Sequence, residues 1–169
     1  MRLILATTLA LTALAPAWAA PQYPVRNVLA AASSIWDPHS TTYADIFSDE
    51  RLATTYSRAF AQSFKDAWKR GSEDDEGIFE MDVIVHAEDA CVFENLHLTD
   101  EPAGTNVTMV HARFNAFGCA KGGQDTKRVS HLVFRVITEG GRDVIDDIVR
   151  VDDGGKRHSV RQQIEGYGR

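Results

Sequence analysis

The sequence predicts a single α+β domain in which helices come first and an antiparallel sheet of about four strands follows. Three observations predict this fold class. Apolar residues recur every three or four positions over 25–68, the spacing that one face of an α-helix requires. Beyond the acidic run at 71–77 the spacing changes to two, which is typical of half-buried strands. Short turn sequences join the strand-like segments, and short connections favour antiparallel neighbours.

The first predicted helix begins near Pro24, because proline is favoured in the first turn of a helix. Its apolar positions, which share one helix face, are Val25, Val28, Leu29, Ala32, Ile35 and Trp36. Asp37 precedes Pro38 and is expected to end the helix, because the residue before a proline is driven away from the α region.

The second predicted helix is long and lies across one face of the sheet. Ser48 is expected to cap its N-terminus, where Asp49 and Glu50 interact favourably with the helix dipole. Its apolar residues recur every four positions and are Leu52, Tyr56, Phe60, Phe64 and Trp68. The pattern predicts one helix of roughly six turns. Such an aromatic stripe favours a place in the core, and the lining of a ligand cavity is the alternative.

Four later segments alternate apolar and polar residues, as strands with one buried face do. They are residues 90–98, 106–117, 128–138 and 142–151. Glu139-Gly140-Gly141 predicts a tight hairpin between the last two. The segments therefore predict a curved antiparallel meander.

The two faces of the predicted sheet differ in composition. The inward residues of the middle strands are expected to be Val110, Ala112, Phe114, Leu132, Phe134 and Val136. The opposite face carries Met109, His111, Arg113, His131, Val133, Arg135 and Ile137. This mixture is less polar than a plain solvent-facing surface, so it predicts partial cover by a second copy in a homodimer, by a protein partner or by a lipid-like ligand.

The N-terminus predicts export. Arg2 provides a short basic region, an apolar run follows, and Ala17-Trp18-Ala19 matches the small-x-small pattern of a signal peptidase site. We therefore expect a cleaved signal peptide at 1–19, a single α+β domain at 20–169 and no transmembrane segment after cleavage. No cysteine follows the apolar run, so a lipid anchor is not expected, and the predicted location is periplasmic or secreted. The net charge of −6 argues against a nucleic-acid partner.

Cys91 and Cys119 are the two cysteines of the chain. An even count in an oxidising compartment favours a disulfide, and both residues lie at the same end of the first predicted hairpin. Two buried free thiols are the alternative. A metal site is not predicted, because no nearby ligand pair accompanies the two thiols.

Four short motifs carry a resemblance to a known family. Residues 43–56, YADIFSDERLATTY, are similar to an FS-x-x-L entry to a long helix, and residues 81–90 are similar to an Asp-led segment that ends in an acidic pair. DVIDDI at 143–148 is similar to a W-x-I-x-D-I strand with aspartate at the tryptophan position, and HSVRQQI at 158–164 is similar to a closing Ser-x-Arg segment.

Together these motifs resemble the nuclear transport factor 2-like superfamily, and within it a group of secreted bacterial domains of unknown function. The resemblance implies a cone- or cup-shaped fold whose helices and curved sheet enclose a pocket. It implies no particular activity, because such folds carry out many unrelated functions.

The adjacent acids in the last predicted strand form the main candidate site. Period-two alternation places Asp147 on one face with apolar neighbours, whereas Asp146 is expected to be exposed. A carboxylate among apolar residues is a candidate general base. The competing interpretation, which we favour, is a structural acceptor of backbone N–H groups or of an arginine. Arg161 is the expected cation for Asp89 or Asp147, and Ser159 belongs to the closing motif.

Candidate ligand- or partner-binding residues are Tyr43, His111, Arg113, His131 and Arg135. His111 and His131 are expected to face each other across the central hairpin, but a third ligand is not visible, so no metal is predicted. Arg113 and Arg135 are suited to a carboxylate or phosphate, or to pairing with surface acids.

The predicted function is an exported binding or accessory protein that holds a small apolar ligand or a protein partner, without a cofactor. One alternative is a small isomerase, dehydratase or hydrolase with Asp147 as acid/base. The other is an exported inhibitor or immunity protein whose acidic run at 71–77 meets a basic target.

Overall fold

A computed structural model of the chain describes residues 20–41, 43–71, 77–120 and 126–168. The predicted signal peptide and most of the acidic run lie outside these ranges. Helices α1 (Gln22–Ile35), α2 (Asp49–Thr54) and α3 (Arg58–Gly71) come first. Strands β1 (Glu94–Gly104), β2 (Val107–Asn115), β3 (Val129–Glu139), β4 (Arg142–Val151) and β5 (Arg157–Ser159) follow, and α4 (Val160–Gly166) closes the chain. The α+β class is confirmed.

The sheet has five strands in the order β1-β2-β3-β4-β5, all antiparallel, and it is not closed. The prediction of about four strands was wrong. The additional strand, β5, is three residues long, too short for its alternation to be recognised in sequence. It pairs with the last residues of β4, from Val149↔Ser159 to Val151↔Arg157.

The predicted long helix is interrupted. α2 ends at Thr54 and α3 begins at Arg58, because the connection between them pairs with β4 instead of continuing the helix. The Ile145 N–H donates to the Thr55 carbonyl at 2.9 Å, and the Ser57 N–H donates to the Ile145 carbonyl at 2.8 Å. Tyr56 forms the resulting parallel bridge. The four-residue apolar spacing continues through the break, so the spacing alone did not reveal it.

Strand β1 begins and ends later than predicted and forms a free edge of the sheet. Pro102 is tolerated within it because an edge strand needs no N–H on its outer side. Irregular pairing next to Glu94 and Pro102, and the acids Asp100 and Glu101, reduce its ability to pair with another strand. These features of β1 reduce its pairing with strands of other molecules.

One apolar core contains side chains from the helices and from the strands. It contains Val25, Val28 and Leu29 of α1, Phe60 and Ala67 of α3, Val110, Ala112 and Phe114 of β2, Leu132, Phe134 and Val136 of β3, Ile145 and Ile148 of β4, and Val160 and Ile164 of α4. The six residues predicted to point inward from β2 and β3 all belong to it. No helix in the described ranges is long and apolar enough to cross a membrane.

Candidate functional site

The carboxylate pair, Asp146 and Asp147, lies at a β-bulge in β4. The register passes from Arg135↔Asp147 to Val136↔Ile145, so Asp146 is an extra residue with no partner in β3. The bulge interrupts the alternation and lets Ile145 and Ile148, three positions apart, both reach the core. The prediction that Asp146 is exposed was wrong, because its residue is only 6% exposed.

Asp146 is surrounded by three donors from three distant parts of the chain. Its carboxylate accepts from the Ser57 hydroxyl at 2.7 Å and from Nη1 of Arg161 at 3.0 Å. Arg135 of β3 completes the set with an ion pair to the second carboxylate oxygen. A buried charge persists when it is paired and hydrogen-bonded in this way.

Asp147 accepts from the residues that begin α4. The Ser159 hydroxyl donates to one carboxylate oxygen at 2.7 Å, and the Arg161 N–H donates to the other at 3.0 Å. Burial raises the pKa of the Asp147 carboxyl, and these hydrogen bonds oppose that effect. Both oxygens are therefore engaged, in the manner of a structural acceptor.

The two serines play equivalent roles. Ser57 precedes α3 and accepts from the Phe60 N–H at 3.0 Å, while Ser159 precedes α4 and accepts from the Gln162 N–H at 3.0 Å. Each serine therefore caps a helix and donates its own hydroxyl hydrogen to one member of the carboxylate pair. Ser57 was not predicted as part of the site, although a cap-forming residue inside an apparently continuous helix was a signal for it.

Arg161, the predicted cation, contacts the two acids through different groups. The Arg161 guanidinium contacts Asp146 and Glu165, whereas its backbone N–H contacts Asp147. Asp89 is exposed, and its expected pairing with Arg161 is not found among the described contacts.

His111 and His131 lie next to each other on the outer face of the sheet, which is the face that points away from the core. Nδ1 of His111 is 3.4 Å from Nε2 of His131, and Nε2 of His111 is 3.0 Å from a carboxylate oxygen of Glu101. Burial, with nearby Arg113, lowers the pKa of the His131 imidazole. Within the described ranges no group of three or more potential ligands is arranged to hold a metal ion.

The other candidates lie apart from one another. Arg113 is exposed on the outer face, Arg135 is engaged by Asp146, and Tyr43 is 80% exposed in the connection before α2. Arg113 and Arg135 therefore do not converge on one anion. Val133 on the same face is only 1% exposed, so neighbouring side chains of the chain itself cover it.

The disulfide prediction is confirmed. Cys91 and Cys119 are bonded, with their Cα atoms 5.9 Å apart. The Cys91 N–H also donates to the Ala116 carbonyl at 2.8 Å, which joins the segments that flank β1 and β2.

An aromatic groove of about 570 Å³ lies between α2, α3 and residues 77–79. Its apolar lining is Phe47, Leu52, Phe64, Trp68, Ile78 and Phe79. The Phe47 ring lies 4.8 Å from that of Phe64 and 5.6 Å from that of Phe79, measured between centroids. Trp68 stacks on Phe64 and remains 61% exposed, so an indole face is accessible beside the groove.

The residues of the predicted aromatic stripe therefore lie in two different places, the core and the groove. Tyr56 and Phe60 are buried in the core, whereas Phe64 and Trp68 line the groove. Phe47 and Phe79 were not predicted to line a groove. Phe47 directly precedes the capping Ser48, the position from which an apolar residue commonly packs onto the first helical turns. Phe79 carried no comparable signal.

Comparison of the chain with protein-family models, with curated proteins and with solved structures found no significant match in any of the three.

Proposed function

We propose that the protein is an exported binding domain that holds a small apolar ligand in the aromatic groove. The observation that carries the proposal is the groove itself, in which aromatic side chains from α3 and two loops converge around accessible space. Its volume falls within the roughly 300–1,000 Å³ of small-molecule sites. Large apolar side chains that line such space, instead of filling it, favour ligand binding.

The lining indicates the chemistry of the ligand. Trp68 and Phe64 offer ring faces to a flat apolar group, and stacking of this kind adds to the free energy of burial. Lys65, Asp45 and Asp49 provide charged groups at the same groove. A ligand with an apolar body and one polar end fits this distribution.

Native mass spectrometry of the protein purified from a periplasmic fraction tests the proposal. We expect a non-covalent adduct that disappears on denaturation and that Trp68→Ala abolishes, because the variant removes the accessible ring. Tyr23→Ala is the matched control, since Tyr23 is an exposed aromatic residue outside the groove and its loss should leave the adduct in place. An adduct that survives Trp68→Ala places the ligand elsewhere.

Catalysis by Asp147 is the alternative with a specific observation in its favour, the raised pKa of its carboxyl. Two observations weigh against it. Both oxygens already accept hydrogen bonds, and Asp147 lines neither the aromatic groove nor the two cavities beside the β3–β4 hairpin. A substrate at any of these cavities would not reach the carboxylate.

Export and family membership are part of the same proposal. The disulfide is compatible with an oxidising compartment, and N-terminal sequencing of the exported protein is expected to begin at Ala20. We also infer a distant relationship to the nuclear transport factor 2-like superfamily, supported by helices that precede an antiparallel sheet. An experimental structure tests the expected cup shape, in which the helices cover the concave face of the sheet.

A further inference from the structure

A row of basic side chains crosses the outer face of the sheet. The strand registers align His97 of β1 with Arg113 of β2, Arg113 with His131 of β3, His131 with Val151 of β4, and Val151 with Arg157 of β5. Directly opposed residues point to the same side of a sheet. The flanking residues Leu98, Ala112 and Leu132 point into the core, so the row points outward. We call His97, Arg113, His131 and Arg157 the basic row.

The two arginines of the basic row have no acidic partner in the described ranges. Arg58, Arg135 and Arg161 all form ion pairs with carboxylates, but Arg113 and Arg157 form none. Both are exposed. The chain as a whole has a net charge of −6, with 24 acids against 18 lysines and arginines, but these two guanidinium groups remain available to an anion from outside the molecule.

The groups of the basic row lie close enough to influence one another. After burial, the causes that lower the pKa of His131 are Arg113, His111 and Arg157, all of them basic, and no acid opposes them. Of the carboxylates that contact this face, Glu101 pairs with His111 and Asp146 pairs with Arg135, so neither pairs with an arginine of the basic row. The basic row therefore carries positive charge without a paired carboxylate, although the molecule as a whole is acidic.

We propose that the basic row is a docking surface for a short acidic segment of a partner protein. Arg113 and Arg157 are separated by three inter-strand spacings, about 14 Å at roughly 4.8 Å each. Carboxylates at alternate positions of an extended segment project to one side about 6.6 Å apart, so three of them span about 13 Å. Guanidinium groups bind such carboxylates with paired, charge-assisted hydrogen bonds.

The negative charge of the whole chain favours a short acidic ligand over a large anionic one. A nucleic acid or an anionic membrane extends beyond the row and meets the negative remainder of the molecule, which repels it. A second copy related by a two-fold axis through the row would place one basic row against another, and like charges that face each other cost free energy. A segment with two or three carboxylates experiences the positive field alone.

Fluorescence anisotropy with a labelled synthetic peptide tests the proposal. The probe carries three glutamates at alternate positions, and its control carries glutamines in their place. We expect binding of the glutamate peptide at about 0.05 M salt and its loss at about 0.5 M, where charges are screened within a few ångströms. Arg113→Gln with Arg157→Gln should weaken binding about tenfold or more.

Arg58→Gln is the matched control, because Arg58 is an exposed arginine that already pairs with Glu139. It should leave the affinity unchanged. Equal binding of the glutamine peptide, no binding at low salt, or equal losses in Arg58→Gln and in the double variant would each overturn the proposal. So would tighter binding of a DNA duplex or of phosphatidylglycerol vesicles through the same arginines. Unchanged thermal unfolding of the variants shows that a loss of binding is not a loss of fold.

Discussion

At the residue scale, two adjacent acids of the same type have different environments because one of them is the extra residue of a bulge. Unbroken alternation placed Asp147 on the same face as Ile145 and exposed Asp146, whereas the bulge directs Ile145 to the core, sets Asp147 opposite Arg135 and buries Asp146. No glycine or proline marks the bulge in the sequence, and the partners of its extra residue are distant in sequence: Ser57, Arg135 and Arg161. A local pattern does not contain such information, so this part of the candidate site was not predictable.

The raised pKa of Asp147 gives a pH dependence with a definite sign. Between the ordinary carboxyl pKa of 3.8 and the raised value, the folded chain keeps a proton that the unfolded chain releases. Ionisation of Asp147 therefore costs folding free energy as pH rises through this window. Urea unfolding of the wild type and of Asp147→Asn, measured from pH 7 down to pH 4, should show the stability difference shifting in favour of the wild type. A shift in the opposite direction contradicts the burial of this carboxyl.

At the element scale, helices α2, α3 and α4 each begin at a serine cap, whereas α1 follows Pro21 and has no side-chain cap. Ser48, Ser57 and Ser159 each accept a hydrogen bond from a backbone N–H of the helix that follows. The first was predicted from its sequence context and is confirmed. The sequence predicts helix through residues 55–57, because Tyr56 keeps the helical spacing of the apolar residues. In the structure Tyr56 instead forms a bridge to β4.

Serine-to-alanine variants distinguish the stability that a helix cap contributes from the stability that the hydrogen bond to the carboxylate pair contributes. Ser57→Ala should lower the free energy of unfolding by about 2 kcal/mol, since it removes a cap and also leaves a buried carboxylate short of one donor. Ser48→Ala is the control, because Ser48 caps α2 without a contact to a carboxylate, and it should cost about 0.5–1 kcal/mol. Equal losses in chemical denaturation would mean that the hydroxyl link to Asp146 contributes nothing.

At the scale of the whole molecule, the order of elements was predictable and their exact number was not. Long periodic segments gave the helical and strand regions, since a buried face imposes its period over many residues. β4 was predicted with its observed bounds. β5 and the start of β1 depend on pairing with strands already formed, and pairing of short segments leaves little trace in composition.

The disulfide closes a loop that contains β1 and β2, and its two cysteines lie 28 positions apart in the sequence. Cys91→Ser with Cys119→Ser should lower the free energy of unfolding by about 3.5 kcal/mol in the chain-entropy model. Reversible denaturation of the oxidised wild type and of the double variant measures this difference. The denatured, unreduced wild type should also fail to react with a thiol reagent, and labelling of both cysteines would contradict the bond.

The shared attachment of two helix caps to one bulge also bears on how the native state fluctuates. Fraying of α3 or α4 at its first turn releases a hydroxyl from a carboxylate, which loosens β4 and the other cap through the same two residues. The first amides of both helices should therefore exchange with deuterium as one cooperative unit, with similar opening free energies. Two segments about a hundred positions apart in the chain, capped by Ser57 and by Ser159, would then behave as a single local unfolding event.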